Sequence, residues 1–227
     1  MQIRIKDILK FNIAANDGLF AKIDDILFDD QSWHVRYIAV KSPQDNPSNK
    51  TVICPISQIE NFNPVNGIVR FLGFFKDLIS QSSIESNPPV SLQKRIKNRK
   101  EFSIWPTQFT IFKGFAPHLF YPVLRKSTAS AVDLESGENG IEFSPTLRSS
   151  KEVIGYNLRF NNSGRGRVQD FIFDTSTGKF ESIIVRCGRL IKKMTMQLPI
   201  AVVRDISWEK VTVSLFIDET QAREFVA

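Results

Sequence analysis

Residues Ala21-Lys22-Ile23-Asp24-Asp25-Ile26-Leu27-Phe28-Asp29 recur 145 positions later as Gly166-Arg167-Val168-Gln169-Asp170-Phe171-Ile172-Phe173-Asp174. The same offset pairs Phe11-Asn12 with Tyr156-Asn157, Ile38 with Ile183 and Val40 with Val185. After one residue of slippage, Thr51 meets Thr195 and Pro55 meets Pro199. Identity is low in each window, but the order and spacing of the matches persist, which points to an internal duplication.

Each copy reads as antiparallel β-structure. Ile23 to Phe28 is a short apolar run closed by Asp29-Asp30-Gln31-Ser32, a turn-forming cluster, and followed by Trp33 to Val40. That second run is rich in β-branched and aromatic residues on both faces, as expected of a strand inside a closed barrel. The second copy repeats the plan with Val168 to Phe173, a turn over 174–178, and Phe180 to Val185. Gly178 suits a turn position with positive φ. Further strands are expected near Thr51–Cys54 and Ile68–Leu72, and near Met194–Leu198 and Lys210–Leu215. Such short strands fit a small barrel, whose closure removes exposed edges.

The strings 22–30 and 33–40 resemble the PRC-barrel family, named for the cytoplasmic domain of the photosynthetic reaction centre H subunit. The family also includes a domain of a ribosome-maturation factor. The approach to the second copy, residues 147–156, is similar to the lead-in of the second barrel in two-barrel members. The resemblance implies a mainly β chain of two small barrels, residues 1–80 and 149–227, joined by a partly helical, aromatic connector over 81–148. Duplicated modules often keep the symmetry of a homodimer, so the two are expected to pack about a pseudo-two-fold axis. Two departures stand out. Ala21 replaces the glycine retained as Gly166, and Gly178 stands where the first copy has Trp33.

Composition sets wider bounds. The 227 residues are 42% hydrophobic and 24% charged, enough to bury a sizeable core. No apolar run approaches the ~18 residues of a membrane span. Lys6, Asp7 and Lys10 interrupt the first apolar stretch, so no secretory signal is expected. Two cysteines, Cys54 and Cys187, suit a reducing cytosol rather than a disulfide framework. Of the formal +6, none lies in residues 1–72, where eight cations face eight anions. Mild basicity of this kind is compatible with an anionic partner but is more often a solubility feature.

The candidate sites follow from these segments. Asp24, Asp25, Asp29 and Asp30 lack the alternation and closing glutamate of a calcium loop. Asp29 and Asp174 read as turn formers, and Asp25 and Asp170 as acceptors for loop amides. Residues 161–167 are glycine-rich and basic but lack the closing Lys-Ser/Thr of a P-loop, leaving Arg165 and Arg167 as a weaker anion-binding alternative. Neither cysteine has a neighbouring histidine, and His34 and His118 belong to no base–nucleophile pattern. No catalytic residue, metal ligand or cofactor site is therefore expected.

The connector places Lys94, Arg95, Lys97, Arg99 and Lys100 ahead of Phe102, Trp105, Phe109, Phe112, Phe115, Phe120 and Tyr121. Basic residues beside aromatics suit RNA stacking or a membrane interface, whereas barrel-covering is the simpler use. The resemblance to the reaction-centre subunit implies a non-enzymatic docking scaffold, with a protein partner or a second copy, in the cytoplasm at the face of a membrane complex. Trp33, Arg36 and the loop 43–50 are its expected contacts. The resemblance to the maturation factor implies instead an RNA or ribosome partner, held by Lys94 to Lys100 and by Arg189, Lys192 and Lys193.

Overall fold

The computed structural model describes residues 1–18, 20–41, 51–79, 84, 88–93, 145–162, 164–188 and 194–225. The first half contains β1 (Gln2–Arg4), the helical turn α1 (Ile5–Ile8), β2 (Asn12–Ala14), β3 (Phe20–Asp29), β4 (Val35–Lys41), β5 (Thr51–Pro55), β6 (Ile59–Asn63), β7 (Ile68–Phe71) and α2 (Phe75–Ile79). The second contains β8 (Leu147–Ser149), α3 (Ser150–Val153), β9 (Asn157–Arg159), β10 (Arg165–Asp174), β11 (Lys179–Cys187), β12 (Met194–Pro199), β13 (Val203–Ser207), β14 (Thr212–Leu215) and α4 (Glu219–Ala222). The chain is mainly β, in two sheets.

The sheets have the same strand order. One runs β5-β4-β3-β2-β7-β6 and the other β12-β11-β10-β9-β14-β13. Two features correct the expectation of wholly antiparallel barrels. Each sheet holds a parallel pair, β2 with β7 and β9 with β14. The hydrogen-bonded path is also open among the described residues. β5 passes into β6 through a 3-10 turn at Ile56–Gln58, and no ladder joins them. A tight turn between two strands re-aims the chain and leaves the ladder unclosed.

The long strands are bulged at matching places. Pairing slips between Ile23 and Asp25 in β3 and between Val168 and Asp170 in β10. An extra residue bends its strand and raises its twist, so the two ends of β3 diverge and meet different neighbours. Residues 20–22 pair with β2, while residues 27–29 pair with β8, which belongs to the other half. Likewise Arg165–Arg167 pair with β9 and Ile172–Asp174 pair with β1. The halves thus exchange their first strands.

One core runs through both sheets, including Ile23, Phe28, Val69 and Phe71 from the first and Val168, Phe171, Phe180 and Leu198 from the second. A smaller cluster of Leu27, Ala39, Ile53 and Leu147 lies apart, with Tyr37 and Ile84 against it. It accounts for the apolar residues on the second face of β3 and β4: the exchanged Leu147 helps to cover that face. Residues 90–93 form a helical turn in the connector, where the Ser91 hydroxyl donates to Glu152 of α3.

Candidate functional site at the seam between the sheets

Two buried carboxylates hold the exchanged segments. Asp25 receives the Ile26 amide at 2.8 Å, the Lys151 amide at 3.0 Å, the Ser150 hydroxyl at 3.1 Å and the Ser149 hydroxyl. Asp170 receives the Phe171 amide at 2.9 Å and the Lys6 amide at 3.1 Å. Lys6 and Lys151 stand 145 apart, as do Asp25 and Asp170, so the two clasps are reciprocal. The free amides in the first turn of a short helix need acceptors, and each half borrows one from the other. Burial pushes both carboxyls above their ordinary value, against the pull of these donors.

The turns beyond them repeat the logic. Asp29 accepts the amides of Ser32 at 2.8 Å and Gln31 at 3.1 Å, and the Thr146 hydroxyl at 2.7 Å. Asp174 accepts the Ser176 amide at 3.0 Å and the Met1 ammonium at 2.9 Å. Partial burial opposes ionisation of Asp29, but its donors together hold the carboxyl below its ordinary value. The Ser176 amide, followed by the ammonium, holds Asp174 well below its own. Turn chemistry and exchange use the same side chains.

At the centre of the seam the hairpin ends pair with each other. Val35 donates to the Gly178 carbonyl and Phe180 to the Trp33 carbonyl, each at 2.9 Å, around a bridge between His34 and Lys179. Rings pack beneath. Phe180 lies 4.8 Å from Phe28 and 4.9 Å from Phe171, centroid to centroid, and Trp33 stacks on Phe28 at 5.6 Å. Aromatic pairs at such distances add to the burial of their area. Beside this seam lies a cleft of about 250 Å³ to which Ile56, Ile59, Phe62, Phe173 and Gly178 contribute. Glu60, Asn61 and Thr175 complete the lining, whose accessible surface is more polar than apolar.

The expected contact residues scatter. Trp33 is half-buried and its ring packs inward, while Arg36 is exposed on β4. Lys94, Arg95, Lys97, Arg99, Lys100, Arg189, Lys192, Lys193 and the loop 43–50 lie outside the described residues. Arg165 and Arg167 belong to β10, paired with β9, rather than to an anion-binding loop. Gly166 is needed there because an added Cβ would sit 2.6 Å from Cys187 Sγ and 2.8 Å from the Arg186 carbonyl oxygen. Burial pushes both thiols up to about 12, so they stay protonated at neutral pH.

Among the described residues, no three His, Cys, Asp or Glu side chains converge as a metal would require. No helix among them is long and apolar enough to cross a membrane. Asp25 and Asp170 accept backbone amides as the sequence led us to expect, but that the donors Lys151 and Lys6 come from the opposite half was missed, although Asp25 and Asp170 recur at the offset that also relates Lys6 to Lys151. No family model matches the chain, and no curated protein matches it.

Proposed function

We propose that this chain is a non-enzymatic docking scaffold of PRC-barrel type, built from a duplicated barrel-like module and working at the cytoplasmic face of a membrane complex. The matching strand orders, bulges and clasps support the duplication. The non-enzymatic part rests on how the reactive groups are used. The buried carboxylates are filled by donors across the seam, and the thiols are held protonated.

The observation that carries docking is the pair Leu72 and Phe216. They follow the last strand of each sheet, 144 positions apart, and are 54% and 56% exposed. Each backbone amide is pinned, Leu72 to the Gln58 carbonyl at 2.8 Å and Phe216 to the Val202 carbonyl at 2.9 Å. A cation accompanies an exposed ring at both places. Arg204 lies 5.0 Å from the Phe216 ring, and Lys76 lies 5.9 Å from that of Phe74. A rigid apolar group beside a cation suits a protein surface that carries apolar and acidic groups.

Affinity capture from native lysate at low and high salt, with protein and RNA both identified, tests the reading. Capture of a defined membrane complex, lost in the Leu72→Ser/Phe216→Ser variant, supports docking. Recovery of RNA or ribosomes that falls steeply with salt replaces it with the RNA reading.

A further inference from the structure

On the outer face of the second sheet, four arginines meet across adjacent strands. The register of β9, β10 and β11 sets Arg159 opposite Arg165 and Arg167 opposite Arg186. All four are exposed, while Leu158, Val168 and Val185 beside them turn into the core. Opposed side chains in an antiparallel ladder start about 5 Å apart, and like charges placed so destabilise the sheet. Arg165 and Arg167 flank Gly166 and share the face, about 7 Å apart along β10. Among the described residues, no ion pair or side-chain hydrogen bond neutralises any of the four. Their other ladder neighbours are Asn157, Thr195 and Ser214, and none of these is acidic. The equivalent first-half positions hold Ala14, Phe20, Lys22 and Lys41, and Lys41 is paired with Asp24 at 3.3 Å. The fold itself therefore does not call for four arginines here.

We propose that this face lies against the anionic headgroups of a lipid bilayer and holds their phosphates. A guanidinium keeps its charge at physiological pH, is weakly hydrated and binds phosphate oxygens as a bidentate fork. A layer of phosphates relieves the repulsion that the ladder builds into both pairs. The arginines stand on an exposed face spread over three strands, which suits an extended surface of charge. Asn157, Thr195 and Ser214 among them offer no ring on which a nucleic-acid base could stack. Each cation near an anionic bilayer raises affinity about fivefold, so four together give a measurable attraction. The inference deepens the docking reading, on which it rests for the nearness of a membrane, and adds the lipid as a second partner there.

Cosedimentation of the intact chain with vesicles of equimolar phosphatidylcholine and phosphatidylglycerol, against vesicles of phosphatidylcholine alone, is the test. Binding to the anionic vesicles only, weakening as salt rises, is expected. Arg159→Gln/Arg165→Gln/Arg167→Gln/Arg186→Gln is expected to weaken it about a hundredfold or more. Its thermal midpoint should be no lower than that of the native chain, because opposed like charges are removed. Arg167→Gln/Arg186→Gln is expected to lose about tenfold and guards against a folding failure of the first variant. Lys10→Gln/Lys22→Gln takes as much charge as that pair from outside this face and is expected to leave affinity within about threefold. Absence of binding to the anionic vesicles, or binding that survives the arginine substitutions, overturns the inference. So does a duplex RNA that binds where the vesicles do not. If the native chain captures a membrane complex but no vesicle, the lipid inference falls and the docking reading stands. If it binds vesicles through the arginines but captures no protein partner, the docking reading falls and the lipid face stands.

Discussion

The carboxylate of Asp25 accepts the backbone amide of Lys151 at 3.0 Å, across 126 positions of chain. With its counterpart, Asp170 to Lys6, it ties each half's entry segment to the other half's central strand. The halves are therefore joined by buried polar contacts as well as by the aromatic seam. Buried acceptors of this kind are costly to lose, because their donors have no water to turn to.

Asp25→Ala leaves two hydroxyls and two amides without their acceptor and is expected to cost about 3 kcal/mol in urea unfolding. Asp170→Ala strands the amides of Lys6 and Phe171 and is expected to cost about half as much. Equal losses would show that the extra serine donors at Asp25 contribute nothing.

The pH dependence has two opposed parts on one strand. The folded-state value of Asp25 is raised by burial, so ionising it weakens the folded state as pH climbs from the ordinary value near 3.8. Asp25→Asn is expected to flatten that decline. Asp29 is lowered, so it stabilises the fold above 3.8 and loses its contribution as pH falls below that value. Asp29→Asn is expected to remove the acid-side loss. Thermal midpoints of both variants across pH 2–7, roughly the span in which aspartates titrate, check the two signs separately.

Val211 has φ 49° where its counterpart Gly67 has φ 62°. A β-branched side chain is strained in this left-handed region, by about 1–3 kcal/mol. Val211 is also 45% exposed, so little packing is lost on truncation. Val211→Gly is expected to stabilise the chain by about 0.5–1 kcal/mol after the entropy cost of glycine. In the reverse direction, Gly67→Val is expected to lower stability, though an added Cβ there meets Phe11 at an ordinary 3.5 Å. Chemical denaturation of both variants decides whether conformation, rather than contact, is responsible.

Gly166→Ala is expected to cost about 2 kcal/mol, since the new methyl group must push β10 from β11. Truncating the sulfur in a Gly166→Ala/Cys187→Ala variant should recover only part of the loss. The Arg186 carbonyl, 2.8 Å from the added Cβ, is backbone and stays in place. Full recovery would place the whole clash at the sulfur.

Much of this protein is written locally. The strands β3, β4, β10 and β11 declare themselves through β-branched and aromatic runs, and Asp29, Asp174 and Gly178 mark their turns through short-range bonding and positive φ. The similar strings at 21–29 and 166–174 form the long strands at corresponding places in two sheets of the same strand order, since similar patterns meet the same local rules. The three-residue strands β1, β2, β8 and β9 escaped because so short a stretch holds hardly one period of alternation. Their partners lay further out of reach. Whether the end of β3 pairs with its own half or with Leu147–Ser149, and where the Asp25 carboxylate finds its donors, depends on groups over a hundred residues away. Only burial in the assembled tertiary structure makes one of those partners cheaper than water.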